Sequence, residues 1–404
     1  MHTKLWNKDF ILMLQGSAFS AIGDVLYSVA IGYWVYDATG SSALMGLMSS
    51  ISMFMTMFLS PFVGSIVDKS NRKSIIVGMD LIRGILMLGV GALAFAGQLS
   101  VAAVLLAAVL ASTCSLFFTP AVSTFMLDII PHSDMVRGQS VANGLSSLIN
   151  LVGKAVSGAL VAFLGVPLII VLNGVSYLIS AFTELFLTVP KTKQQGQAVT
   201  LQGMAGDFRI AFHEIFHNPF LSLFIPVALI VNLLAAGPLS LMLPFMLEKG
   251  FTVELYGYAM SLETAASLMG VVILGIVQLK PKQRFRIQAL GFVASVVFST
   301  AAYLSGSFIS VATLLFLSAF FNTLGNAIFN ASLMLAMPEH NRGAILGLFS
   351  AFSTGGCAIS TVAFGVLCDI FPTHLVFVVG TVLSALPMLY LCFHKKTKEF
   401  ILTH

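Results

Sequence analysis

Gly64-Ser65-Ile66-Val67-Asp68-Lys69-Ser70-Asn71-Arg72-Lys73 is a short charged break between two long apolar stretches. One acid and four basic or amide side chains crowd into a gap too small to be a domain. A gap of this kind suits a cytoplasmic hairpin that joins two membrane-spanning helices. Outward from it, apolar stretches recur along the whole chain, each long enough to cross a hydrocarbon core of about 30 Å. Twelve can be read: 10–36, 44–66, 74–97, 101–127, 139–164, 167–189, 220–247, 255–279, 287–306, 309–337, 344–370 and 374–394. The fold class expected is therefore an all-α membrane protein.

Composition agrees. The 404 residues are 58% hydrophobic and only 9% charged, with a mean hydropathy of +0.97. A soluble domain of this length needs far more charge on its surface. No ten-residue alternation suggests a lipid-facing β-barrel. Charge placement tests the span count. Twelve crossings put both termini on one side, and that side carries all of the 20 Lys and Arg residues except Lys249 opposite and Arg83 and Lys154 within spans. By the positive-inside rule it is the cytoplasmic side of an inner or plasma membrane. The net charge of +4 follows from this bias, and no nucleic-acid partner is expected. The first stretch is too long for a cleavable signal and carries Asp24, so it reads as a span. The four cysteines lie in or at the ends of spans, where small apolar filler is the expectation.

A polar stretch divides the spans six and six, giving 1–189, a linker at 190–219 and 220–404. Within the linker, Phe208, Ala211, Phe212, Ile215 and Phe216 alternate with Asp207, Arg209, His213 and Glu214, as in an amphipathic helix on a membrane surface. The halves echo one another: Pro131 to Gly138 follows the fourth span and Pro338 to Gly343 follows the tenth. Parallel six-span repeats suit two bundles that rock around a midplane site.

In this topology Gly64, Asp68, Lys69, Arg72 and Lys73 resemble the loop signature of the major facilitator superfamily between spans two and three. Asn71 stands where the family has Gly, and is expected to tolerate the same left-handed turn. The resemblance implies two six-helix bundles related by pseudo-symmetry. It also implies an inner latch, Asp68 with Arg72, in which the acid docks at the N-terminus of span eleven near Gly343 and Ala344. Further matches resemble the macrolide-efflux and enterobactin-exporter branch: Ser20 to Asp24, Asp37 to Ser42, Asp80 to Arg83, and Phe117 to Ala121. Two departures bear on proton coupling. Ala111 occupies a position that is often basic in span four, and Lys154 replaces the proline of an antiporter-type motif in Gly153 to Gly158.

Charges inside a bilayer are costly, about 3 kcal/mol or more at the centre, and mark functional candidates. Asp24 lies mid-span on a stripe with Gly16, Ser20 and Ser28, a face expected to meet the central cavity and to exchange a proton against substrate. Lys154 is a candidate partner for Asp24 or for an anionic substrate, set against a lysine snorkelling along a crevice. Glu263 is a third candidate, for a proton route or for contact with outer water. Asp80 and Arg83, one turn apart, read as a pair that braces the Asp68–Arg72 gate. Glu184 is expected at the membrane interface. Asn322, Asn326 and Asn330 form a row at four-residue spacing, suited to a cavity wall or to bonding a neighbouring helix. The 34 Phe and 19 Met could line an adaptable pocket, although most must face lipid or pack helices.

His213-Glu214-Ile215-Phe216-His217 matches a zinc-protease pattern. It lacks a third ligand at suitable spacing, and Asn218-Pro219 breaks the chain at once. No Walker-type loop suggests ATP. The expected activity is secondary active transport by a monomer, without cofactor and driven by a proton gradient. The expected cargo is a lipophilic or amphipathic small molecule, such as a macrolide-like drug or a siderophore. Import or facilitated diffusion of a nutrient is the alternative.

Overall fold

The computed structural model describes residues 5–188, 209, 212–218, 220–277, 280–338 and 342–394. Its elements are helices: α1 Lys8–Thr39, α2 Ser42–Lys69, α3 Arg72–Phe95, α4 Val101–Ile129, α5 Met135–Glu184, α6 Leu221–Ser240, α7 Met242–Glu248, α8 Val253–Ile276, α9 Pro281–Leu304, α10 Phe308–Ala336, α11 Arg342–Ile370 and α12 Thr373–Phe393. A three-residue 3-10 turn, His132–Asp134, precedes α5. Eleven are long and apolar enough to cross a bilayer. One of these, α5, has 50 residues, about 75 Å at 1.5 Å per residue, more than twice the hydrocarbon thickness. It folds back at Gly165, where φ is 75° and ψ is 159°, a conformation open to glycine and costly for other residues. Pro167 follows within the first turn of the returning segment. The helix thus supplies the fifth and sixth spans, and the described residues hold twelve segments of membrane-crossing length.

Local chemistry explains several ends. Asn7 caps α1 by accepting from the Phe10 N–H at 2.9 Å, and its amide donates to the Ile129 carbonyl at the end of α4 at 2.9 Å. Gly40, with φ 65°, closes α1 in the left-handed conformation. Asn71 differs from expectation. Its φ is −70° and ψ 105°, an extended N-cap whose side chain accepts from Ser74 N–H. Asn replaces Gly there because it caps the next helix, not because it tolerates a left-handed turn. The seventh span also differs, being broken between α6 and α7 at Leu241. Pro238 crowds the preceding turn, and the Gly237 N–H donates sideways to Ser360 Oγ at 2.9 Å.

The chain forms two compact units. The first comprises Met1–Gly40 and Phe54–Val199, the second Ser41–Met53 and Thr200–His404. The start of α2, up to Met53, therefore sorts with the second unit. There Asp369, at the end of α11, caps it: Ser42 and Ala43 N–H donate to the carboxylate at 2.6 and 3.2 Å, and Ser41 Oγ at 2.7 Å. A carboxylate at the positive end of a helix is favoured. Asp369→Ala should cost about 1 kcal/mol, read as a fall of a few degrees in the melting temperature of detergent-solubilised protein. Asp369→Asn should recover part of the loss. An unchanged melting temperature for the alanine variant would remove the cap from the stability of this unit.

In the first unit Phe10, Met13, Val67, Ile76, Phe125 and Ile129 form a buried apolar cluster. In the second unit one such cluster surrounds Phe224, Phe329 and Leu333 and another surrounds Phe245, Tyr303 and Phe377. Large apolar side chains such as Phe163 and Ile309 point outward, as lipid-facing positions do.

Candidate functional site

The first unit encloses a charged cluster. Asp80 and Arg83, one helical turn apart on α3, form a buried ion pair. Ser20 Oγ of α1 donates to the other Asp80 oxygen at 3.3 Å. The Arg83 guanidinium also donates to Ser115 Oγ of α4 at 3.4 Å. It lies 4.4 Å from the ring centres of both Phe118 and Tyr177, held between two aromatic faces. The Tyr177 hydroxyl donates to Asp24 Oδ1. Further along the sixth span Ser180 Oγ donates to Glu184 Oε1 at 3.2 Å. Glu184 is fully buried, and its Oε2 has no hydrogen-bond partner.

Small residues bring these elements together. A Cβ at Gly23 would lie 2.2 Å from Ser176 Oγ and 2.4 Å from Asn173 Oδ1, and one at Gly16 would lie 3.0 Å from Glu184 Oε1. The stripe Gly16, Ser20, Asp24 is thus the seam along which α1 meets α3 and the sixth span, while Ser28 is exposed. Glu184, expected at the interface, is instead interior, because the glycine at position 16 leaves room for its carboxyl. The Asp80–Arg83 pair likewise has Ser20, Ser115, Phe118 and Tyr177 as neighbours. Arg72, expected to belong to an inner latch, pairs with Asp128 at the end of α4. The side chains of Gly64, Asp68 and Lys69 lie outside the described residues, and Lys73 is half-buried. Asp24 bonds Tyr177, and no hydrogen bond or ion pair joins it to Lys154, which is half-buried on α5.

The second unit contains a cavity of about 460 Å³, lined from α6 to α12. Glu263 of α8 and Asn322 and Asn326 of α10 line it, together with hydroxyls such as Ser299, Ser318 and Thr381. Asn326 Nδ2 donates to Asn322 Oδ1 at 2.7 Å, whereas the third asparagine of the row, Asn330, is exposed and lies outside the cavity. On α10, Val311 and Leu315 belong to one apolar cluster and Phe329 and Leu333 to the other. Ser318, Asn322 and Asn326 fall between them, so the cavity sits at mid-helix. In the linker, 212–217 is helical, with Ile215 buried and Phe212 and Phe216 exposed. His217 Nδ1 is 2.9 Å from the His213 carbonyl, and the two rings touch edge to face. Among the described residues no cluster of three potential metal ligands occurs. Phe208 and Ala211 of the expected amphipathic face lie outside the described residues.

The sequence matches the family model for the Major Facilitator Superfamily over residues 13–361. The chain belongs to this superfamily.

Relatives within the superfamily include macrolide efflux protein A of Streptococcus pyogenes, 24% identical over 194 residues, or 48% of each chain. The putative bacilysin exporter BacE of Bacillus subtilis is 30% identical over 179 residues, 42% of each. The chain thus spans about half the length of these curated relatives. Among solved structures, a bacterial homologue of the iron transporter ferroportin in an inward-facing state aligns with a TM-score of 0.73 at 16% identity, covering 95% of this chain and 98% of that one. The nucleoside transporter NupG aligns at 0.71 and 16%, covering 93% and 97%. At these identities the structures show the fold alone and leave cargo to other arguments.

Tyr177, Glu184, Ser115 and Asp128 were not read as site residues from sequence. Asn173, Tyr177, Ser180 and Glu184 recur at spacings of four, three and four, one polar face of the sixth span. That stripe was the available signal, and it faces the α1 stripe that carries Asp24.

Proposed function

We propose that this superfamily member is a proton-coupled exporter of a lipophilic or amphipathic small molecule. It would work as a monomer in the inner or plasma membrane, with both termini cytoplasmic. The observation that carries the reading is the cluster of the first unit, in which Asp80 pairs with the guanidinium of Arg83, Tyr177 packs on that guanidinium and bonds Asp24, and Ser180 bonds the buried Glu184. An apolar interior penalises uncompensated charge. Arg83 balances one carboxylate, and protons balance the rest. Substrate-driven loss of those protons, followed by reloading from the acidic side, would couple cargo to the gradient. Asp24 is the group through which the cycle would read the proton, because its Tyr177 contact lies at mid-span. Support for export comes from the relatives described as macrolide efflux and bacilysin export proteins.

Proteoliposomes with an imposed pH gradient test the proposal. A macrolide or a fluorescent lipophilic cation should accumulate against its own gradient, and an ionophore that collapses the pH difference should abolish accumulation. Equilibration that ignores the gradient would favour a facilitator.

A further inference from the structure

We propose that Asp80 and Glu184 of the first unit are a single proton site, two carboxyl groups that share one proton across the Ser180 hydroxyl. The inference deepens the coupling proposal and takes the role of Asp24 from it. The shared proton itself rests on the geometry of the cluster and is tested without cargo or gradient.

Hydrogen-bond counting is the first argument. Ser180 Oγ is 3.2 Å from Glu184 Oε1 and also lies beside the Asp80 carboxyl group. A serine hydroxyl rotates freely, has one hydrogen to donate and accepts through its lone pairs. It serves two carboxyl groups at once by donating to one and accepting from the other, and the one that donates to it holds a proton. Glu184 Oε2 has no partner, so Oε1 is the oxygen that joins Glu184 to the network. Two carboxylates set close together in an apolar interior do not both stay ionised.

Charge placement is the second. Asp80 pairs with Arg83 and accepts from Ser20 Oγ at 3.3 Å, so while that pair holds, the proton belongs on Glu184. Glu184 Oε1–H then donates to Ser180, and Ser180 donates to Asp80. Asp24 supplies a reason for the proton to cross. It lies within electrostatic range of Arg83 and Asp80, and it is bonded to Tyr177, whose ring packs on the guanidinium. An ionised Asp24 competes with Asp80 for Arg83 and repels the Asp80 charge. Two hydrogens then move together: the Glu184 O–H and Ser180 O–H bonds break while new Ser180 O–H and Asp80 O–H bonds form. No proton enters or leaves in this step. The negative charge passes from Asp80 to Glu184, two helical turns, or about 10 Å, beyond Tyr177. Loss of the Asp24 proton is thereby registered at the far end of the cluster. The other titratable neighbours are Cys114 of α4, within range of Asp80 and Arg83, and Asp9 of α1, which accepts from Thr188 N–H at 2.9 Å.

Infrared spectra of the detergent-purified full-length protein read protonated carboxyl groups by a carbonyl stretch that shifts in heavy water. At neutral pH one such band should vanish in Glu184→Gln. Ser180→Ala should shift that band, and Ser180→Thr, which keeps the hydroxyl, should restore it. Aspartate isotopically labelled in its side-chain carboxyl separates Asp bands from Glu bands. As the pH is raised and Asp24 ionises, the Glu184 band should give way to an acid band that carries the aspartate label. Asp24→Asn should keep the Glu184 band across the same range. The labelled parent protein decides the matter if the Ser180 variants do not yield folded protein. Absence of a Glu184-dependent acid band, a band that ignores Ser180→Ala, or loss of the band with no labelled successor would overturn the shared proton. Each of these outcomes leaves the proteoliposome test standing, and failure of coupled transport there leaves the infrared result standing.

Discussion

Arg83→Met should strip the protein of most of its folded yield. The guanidinium is buried, paired with Asp80, bonded to Ser115 and held between Phe118 and Tyr177. Removing it leaves the Asp80 carboxylate in an apolar interior with only the Ser20 and Ser180 hydroxyls near it. Breaking a buried pair from one side costs about 3–5 kcal/mol. The melting temperature in detergent should fall on the order of 10 °C. The double variant Asp80→Leu/Arg83→Met should recover a large part of that loss, since an apolar pair of similar volume carries no stranded charge. If the single and double variants melt alike, the lost stability belongs to packing against the two rings and not to charge.

Asp24→Asn should have the opposite profile, an intact fold and failed coupling. Asparagine keeps an oxygen that can accept from the Tyr177 hydroxyl, so the melting temperature should stay within about 3 °C of the parent. It cannot release a proton. Uptake driven by the pH gradient should fall at least tenfold in proteoliposomes, while exchange of labelled for unlabelled cargo without a gradient persists. Full gradient-driven uptake by the variant would move the coupling role elsewhere in the cluster, and Glu184→Gln is the next variant to measure.

The spans were legible because a bilayer imposes a length and a polarity that few other environments do. Even the fold-back within α5 could be read, since Gly165 and Pro167 stand where one apolar stretch ends and the next begins. The division of the seventh span was not legible. Its apolar run is continuous, and the break depends on Pro238 acting together with a donor diverted to Ser360, 123 residues away. The charged candidates were visible one at a time, but their partners were not. Asp24 suggested Lys154 and found Tyr177, and Glu184 suggested the surface and lies inside. Each outcome turns on which helix faces come together, and composition does not encode that. A polar stripe on the sixth span at the same period as the stripe on α1 would have suggested most of the cluster. The asparagine row was half right for the same reason. A row four residues apart drifts around a helix, so Asn322 and Asn326 reach the cavity and Asn330 turns away.

The cap on α2 also bears on how the protein is made. Asp369 is synthesised 327 residues after Ser42, roughly 20–60 s later at ordinary ribosomal rates. Throughout that interval the first amides of α2 lack their final acceptor and must be served by water, lipid headgroups or the insertion machinery. The start of the second helix is among the earliest segments to enter the membrane and among the last to mature. Its completion waits for the eleventh helix to leave the ribosome.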